Sequence, residues 1–162
     1  MADSLKDMPE GGDAFARLLA VKNPTIDDFK QLALLEASGR CFYNTLADKA
    51  PNEEIKELFA RNGQEELGHA HRLKRVIKIL YGAEFEIPAD ADNPFCKAPA
   101  PQMSVDKAML SGIVQGEMEG EAFYEGWAGA VANEEAARLL RLNGKEEARH
   151  GARIMEALEL LG

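Results

Sequence analysis

Apolar residues recur at helical spacing along four long stretches, and no run of alternating residues supports a sheet. From about Thr25 to Lys49 the stripe is Phe29, Leu32, Ala33, Tyr43 and Leu46 or Ala47, interrupted by Glu36. From about Glu53 to Tyr81 it is Ile55, Leu58, Leu73, Val76 and Leu80, interrupted by Glu66 and His69. Asn23-Pro24-Thr25 offers a cap to the first helix. Ala50-Pro51-Asn52 breaks it, and Asn52 followed by Glu53-Glu54 starts the second with a side-chain cap and acid in the first turn. Gly82 is its expected stop. The pattern then returns: Ser104 is expected to cap a helix reaching about Ala132, and Asn133 another running to Leu161.

The return is a repeat. Shifting the chain by 81 residues lays Glu36–His69 on Glu117–His150 without a gap, with 14 of 34 positions identical. The identities include Gly39/Gly120, Phe42/Phe123, Tyr43/Tyr124, Asn52/Asn133, Asn62/Asn143 and Gly63/Gly144, together with Glu36/Glu117, Glu66/Glu147 and His69/His150. Two copies are too few for a solenoid, so the expected unit is one pseudo-symmetric domain over residues 25–162, after an arm or short helix at 1–24. Its hairpins are 25–81 and 104–161. Between them, residues 82–103 carry four of the seven prolines. Extended, those 22 residues reach ~70 Å, ample to return along a helix of ~40 Å. The pattern therefore predicts an all-α four-helix bundle with one long crossover.

Spacing brings the interrupting acids and bases together. Glu36 and Glu66 lie 15 residues either side of Pro51, so an antiparallel hairpin puts both ~22 Å from the turn. Glu117 and Glu147 stand likewise about Ala132. Residues three apart share a helix face, so Glu66 projects with His69 and Glu147 with His150. Four ionised carboxylates cannot share a core unaided, since one unpaired buried charge costs several kcal/mol. No basic residue recurs within the aligned window, whereas two divalent cations would balance four carboxylates. Oxygen and imidazole donors suit iron, manganese or zinc.

One Glu from each of two helices, plus Glu-x-x-His from each of the other two, is the constellation of di-iron and di-manganese carboxylate bundles. On these residues the chain resembles the ferritin-like superfamily, its rubrerythrin-type members most closely, over about residues 25–162. The resemblance implies that Glu36, Glu66, His69, Glu117, Glu147 and His150 hold two metal ions, with Glu66 and Glu147 bridging. It implies that Tyr43 and Tyr124, two turns beyond Glu36 and Glu117, donate hydrogen bonds to the site. Glu121 is a candidate further carboxylate or proton donor. Asn62 and Asn143 either orient ligands or bond backbone, while the paired glycines give room for close helix approach. The activity implied is reduction of hydrogen peroxide or dioxygen at two irons. The alternatives are a ferroxidase or iron-storage protein, and a dimanganese catalase. Many rubrerythrins append a cysteine-held iron domain. Two cysteines cannot supply its four ligands, so an external electron-donor protein is expected.

Composition narrows the partners. A net charge of −9, from 28 acidic and 19 basic residues, disfavours nucleic acid. No apolar run approaches a membrane span, and MADSLKDMPEGGD lacks a signal-peptide layout. Cys41 and Cys96, without Cys-x-x-Cys spacing, are expected to be unpaired thiols in a reducing cytoplasm. A homodimer is the expected assembly. His71, two residues from His69, points off the shared face. Glu36→Ala or His150→Ala should therefore lower bound metal measured by elemental analysis, and His71→Ala should not.

Overall fold

The computed structural model describes residues 11–96 and 103–162, and its elements follow from local chain chemistry. They are α1 (Gly11–Leu19), α2 (Ile26–Asp48), α3 (Glu53–Tyr81), a short 3-10 turn (Asp90–Asp92), α4 (Lys107–Ala130) and α5 (Glu134–Leu160). Among the described residues there is no strand. Thr25 opens α2 with a capping box: its hydroxyl accepts from the Asp28 N–H, and the Asp28 carboxylate accepts from the Thr25 N–H at 2.8 Å. Asn52 and Asn133 cap α3 and α5, accepting from the N–H of Ile55 at 2.9 Å and Ala136 at 3.0 Å. Gly82 ends α3 at φ 64°, a left-handed position where a side chain would be strained.

The start of α4 differs from expectation. Asp106, not Ser104, is the cap, accepting from the Met109 N–H at 2.9 Å. The Ser104 hydroxyl instead donates to the Asp106 carboxylate. A carboxylate at a helix N-terminus also meets the positive end of the helix dipole, which a neutral hydroxyl does not. The helix ends at Ala130, because Val131 turns extended.

Helices α2 and α3 pair as one hairpin and α4 and α5 as the other; α3 packs on α5, whereas α2 and α4 do not pack closely. Two apolar clusters fill the bundle. One joins Phe29, Leu32, Leu73, Ile77, Trp127 and Leu140, and the other joins Leu46, Ile55, Phe59, Leu110 and Ile154. The interrupting acids and histidines occupy the level between them. Helix α1 closes the first cluster with Leu18, fully buried. Trp127 ties that end together: its ring meets Phe29 edge-on at 5.1 Å, and its indole N–H donates to the Val21 carbonyl at 3.0 Å.

The crossover returns along α2. Asn93 donates to the Leu34 carbonyl at 2.9 Å, and Arg40 pairs with Asp90. Cys41 on α2 and Cys96 on the crossover are joined in a disulfide, with Cα atoms 5.9 Å apart. The expectation of unpaired thiols is thus overturned. The two are 55 residues apart in sequence, and the returning chain, which no spacing rule foretells, brings them together. No helix among the described residues is long and apolar enough to cross a membrane. Trp127→Ala should cost about 3–5 kcal/mol of stability, measured by chemical denaturation, because both an aromatic cluster and a buried hydrogen bond are lost.

Candidate metal centre

Six side chains meet at the level between the apolar clusters. Glu36 comes from α2, Glu66 and His69 from α3, Glu117 from α4, and Glu147 and His150 from α5. They form two overlapping groups: Glu36, Glu66, His69 and Glu147, and Glu66, Glu117, Glu147 and His150. Within each, one donor atom from every residue lies within 4.8 Å of the others. Glu66 and Glu147 belong to both. The imidazoles lie nearly parallel, with centroids 5.2 Å apart and planes inclined by 14°.

Each histidine turns Nδ1 towards the carboxylates. His69 Nδ1 stands 3.2 Å from Glu36 and from Glu147, and His150 Nδ1 stands 3.3 Å from Glu66. The opposite nitrogen is held by the other hairpin. Nε2 of His69 meets Glu146 at 3.0 Å, and Nε2 of His150 meets Glu65 at 3.1 Å. A carboxylate on Nε2 fixes the proton there and leaves the Nδ1 lone pair for an incoming cation.

Glu65 and Glu146 escaped the sequence reading, and so did their partners. Arg72 donates both terminal nitrogens to Glu146 at 2.7 and 3.0 Å, and Arg153 donates both to Glu65 at 2.8 and 2.9 Å. Arg72 and Arg153 obey the same 81-residue shift, three residues beyond the histidines, where the aligned window ended. A basic residue thus does recur, just beyond the aligned window. The two guanidiniums are matched by the two outer carboxylates, which leaves Glu36, Glu66, Glu117 and Glu147 still to be compensated. Asn62 and Asn143 do both things expected of them. Their amides donate to the main-chain carbonyls of His150 and His69 at 3.3 Å, and their carbonyls accept from Arg153 at 2.9 Å and Arg72 at 3.0 Å.

The tyrosines cross the bundle as well. Tyr124 donates to Glu36 at 2.6 Å and Tyr43 to Glu117, each reaching the carboxylate of the other hairpin. Gly39 and Gly120 make room less for a helix than for a ligand. A Cβ on Gly39 would stand 2.9 Å from the carboxyl carbon of Glu66, and one on Gly120 would stand 2.9 Å from Cγ of Glu147. Glu121 is not brought in. Its side chain is exposed, and its backbone packs on Gly144. Four residues beyond Glu117, it stands about 40° past it, away from the buried Gly120 and Tyr124, and it joins neither carboxylate–histidine group, so the expected further carboxylate or proton donor is not placed there. His71 is exposed too.

The sequence model of the family described as Rubrerythrin matches residues 33–158, which takes in every residue of this centre. The chain belongs to the rubrerythrin family. Neither the curated proteins nor the solved structures contain a significant match to it. Membership implies a metal site, and the donors of this rubrerythrin fit one. They are carboxylates and imidazoles without a thiolate, as a hard or borderline divalent cation requires. His150 Nδ1 is buried without a hydrogen-bond partner, a costly arrangement for a polar atom unless something else satisfies it.

Electrostatics agree. Burial and the Glu66 charge push Glu36 up to about 7, and burial with Glu66 and Glu36 raises Glu147 well above the usual carboxylate range. Burial would raise Glu66 as well, but the adjoining His150 and His69 imidazoles overcome it and hold it low. Burial disfavours charge on His150, yet Glu117 and Glu66 raise it to about 9. His69 is raised likewise against burial by Glu146, Glu147, Glu36 and Glu66. Protons thus stand in for cations when none is bound. Burial also opposes ionisation of the outer acids, but His69 and Arg72 hold Glu146 down to about 2. Arg153 keeps Glu65 below its ordinary value.

This rubrerythrin cleft opens on one side. Between α2 and α4 lies a cavity of ≈ 300 Å³, lined by Glu36, Glu66, Glu117 and Glu147 with Phe15 and Tyr124 among its walls. Tyr43 is not among them. Phe15 of α1, a helix to which the sequence assigned no function, therefore helps shape the approach to the carboxylates.

Glu36 and His150 bind protons in the fold that the unfolded chain releases near 4.5 and 6.5. The metal-free protein should therefore lose stability as pH rises from there through about 7 and about 9. Bound divalent metal should flatten that dependence by replacing the protons. Urea midpoints measured across this pH range, with and without metal, check it.

Proposed function

We propose that this rubrerythrin is a di-iron oxidoreductase that reduces hydrogen peroxide with electrons supplied by a separate donor protein. The observation that carries the reading is the pair of four-residue groups sharing Glu66 and Glu147 at the floor of an open cavity. In this reading Glu66 and Glu147, which belong to both groups, would be shared by two iron ions, with Glu36 and His69 on one side and Glu117 and His150 on the other completing the donor sets. The irons, when bound, would supply the two electrons that break the O–O bond.

The protein's own residues do the rest. The four carboxylates offset the charge of the metals, and the cavity admits a molecule as small as peroxide. The phenol of Tyr124, at the cavity wall and bonded to Glu36, holds a proton where a departing oxygen needs one. Phe15 and Phe123 give the approach an apolar lining that restricts water.

A ferroxidase would use the same donors, but it must release its iron after each turnover. Here every terminal ligand is restrained from the opposite hairpin, the histidines by the carboxylate–arginine pairs and Glu36 and Glu117 by the tyrosines. Restraint of that kind suits a resident metal rather than a travelling one.

Iron analysis of protein from iron-replete cells should give about two ions per chain. Stopped-flow mixing of the ferrous protein should then show oxidation by peroxide outpacing oxidation by oxygen. Faster oxygen uptake with iron released to solution would instead establish a ferroxidase. Tyr124→Phe should slow peroxide reduction roughly 10–100-fold, and Tyr43→Phe less, since only Tyr124 lines the cavity.

A further inference from the structure

The Cys41–Cys96 disulfide has no part in the centre described above, yet it sits beside it. Cys41 follows Glu36 by five residues on α2, ~7.5 Å along the helix axis. A second cavity, of ≈ 380 Å³, is lined by Ser38, Gly39, Cys41, Phe42, Thr45 and Phe95, with Met103 at its edge. It shares Gly39 with the cavity that holds the carboxylates. Gly39 is also the residue against which the Glu66 carboxylate packs. The α2 backbone at Gly39 therefore forms a common wall of the two cavities.

The surroundings suit thiol chemistry. Neither cysteine is fully buried, and the open cavity gives a reagent access to the Cys41 side. A carboxylate oxygen of Asp90 lies within 4.8 Å of both sulfurs. Arg40, paired with Asp90, offsets the carboxylate charge that would otherwise oppose a thiolate.

We propose that Cys41 and Cys96 form a built-in two-electron store for the metal centre, refilled by external thiols. The proposal rests on the peroxidase reading and adds to it the chemical class of the reductant. In the discharge, the two Sγ–H bonds break and the Sγ–Sγ bond forms, releasing two electrons and two protons. Peroxide takes up both, its O–O bond breaks, and two waters result. In the refill, two molecules of an external thiol reduce the disulfide by exchange and leave as their own disulfide. The structure shows the discharged member of the couple. The count matches, since peroxide reduction and disulfide formation each transfer one electron pair.

The test uses the whole protein. It is reduced with dithiothreitol, desalted without oxygen, and loaded with two equivalents of ferrous iron. Hydrogen peroxide is added in portions with no other reductant present. Peroxide consumed is measured, and thiols are trapped with iodoacetamide and scored by intact mass. The wild type should consume twice as much peroxide per chain as Cys41→Ser or Cys96→Ser. Its thiols should close to the disulfide with iron bound and persist over the same interval in the metal-free protein.

Equal consumption by wild type and variants, with the iron oxidised in each, would overturn the store and leave the peroxidase reading standing. Thiols that close equally fast without iron, or a disulfide that dithiothreitol cannot open in the folded protein, would overturn it as well. If iron-loaded wild type consumed no peroxide, the reading of the centre would fail first and the store with it. Should the serine variants misfold, the iron dependence of the wild-type thiol mass still decides.

Discussion

Compensation of buried negative charge governs this molecule. Six glutamates gather at one level between two apolar clusters, where an isolated anion would be intolerable. Two of them, Glu65 and Glu146, are answered by guanidiniums in paired contacts. The other four are answered only in part, by imidazoles and phenols, and the raised proton affinities of Glu36 and Glu147 register the shortfall. A protein at this level must be either protonated or metallated. The helices, caps and crossover hold the four acids close enough to keep that choice open, and the family's chemistry follows from it.

Much of this could be read from the chain. The Glu-x-x-His doublet, the 81-residue shift and the equal distances from each turn to its acids predicted which six side chains would meet. Helical geometry is regular enough for such arithmetic to hold over ~22 Å. Several features lay beyond it. Glu65 and Glu146 sit next to residues assigned to the metals, and neighbours on a helix point about a quarter-turn apart. Their use appears only when the opposite hairpin is in place. Arg72 and Arg153 were legible in principle, since they follow the histidines by three residues in both copies. Glu121 failed because nearness along a helix is not nearness in space. Nothing local could foretell the disulfide, because Cys96 depends on the path of a proline-rich return.

A repeated sequence predicts a symmetric site, and the inner and outer partners obey that symmetry. The surroundings do not. Helix α1 and the crossover have no counterpart in the second copy; α1 packs on α2 and reaches Phe123 of α4, and the crossover runs along α2. Tyr124 lines the cavity while its twin Tyr43 does not. Packing between α3 and α5 seals the histidine side with ion pairs, and the gap between α2 and α4 leaves the carboxylate side reachable. Equivalent ligands thus stand in unequal settings, which is what a reaction with one direction of entry requires.

The crossed hydrogen bonds carry a consequence for how such a fold can arise. Each hairpin depends on the other for the partner of its histidine Nε2 and for the tyrosine on Glu36 or Glu117, because Glu146 serves His69, Glu65 serves His150, and each tyrosine serves the opposite acid. A lone hairpin would be a half-lock without a key. Two identical ones joined about a twofold axis would supply each other's missing partners, so what the centre demands is a second hairpin rather than an unbroken chain.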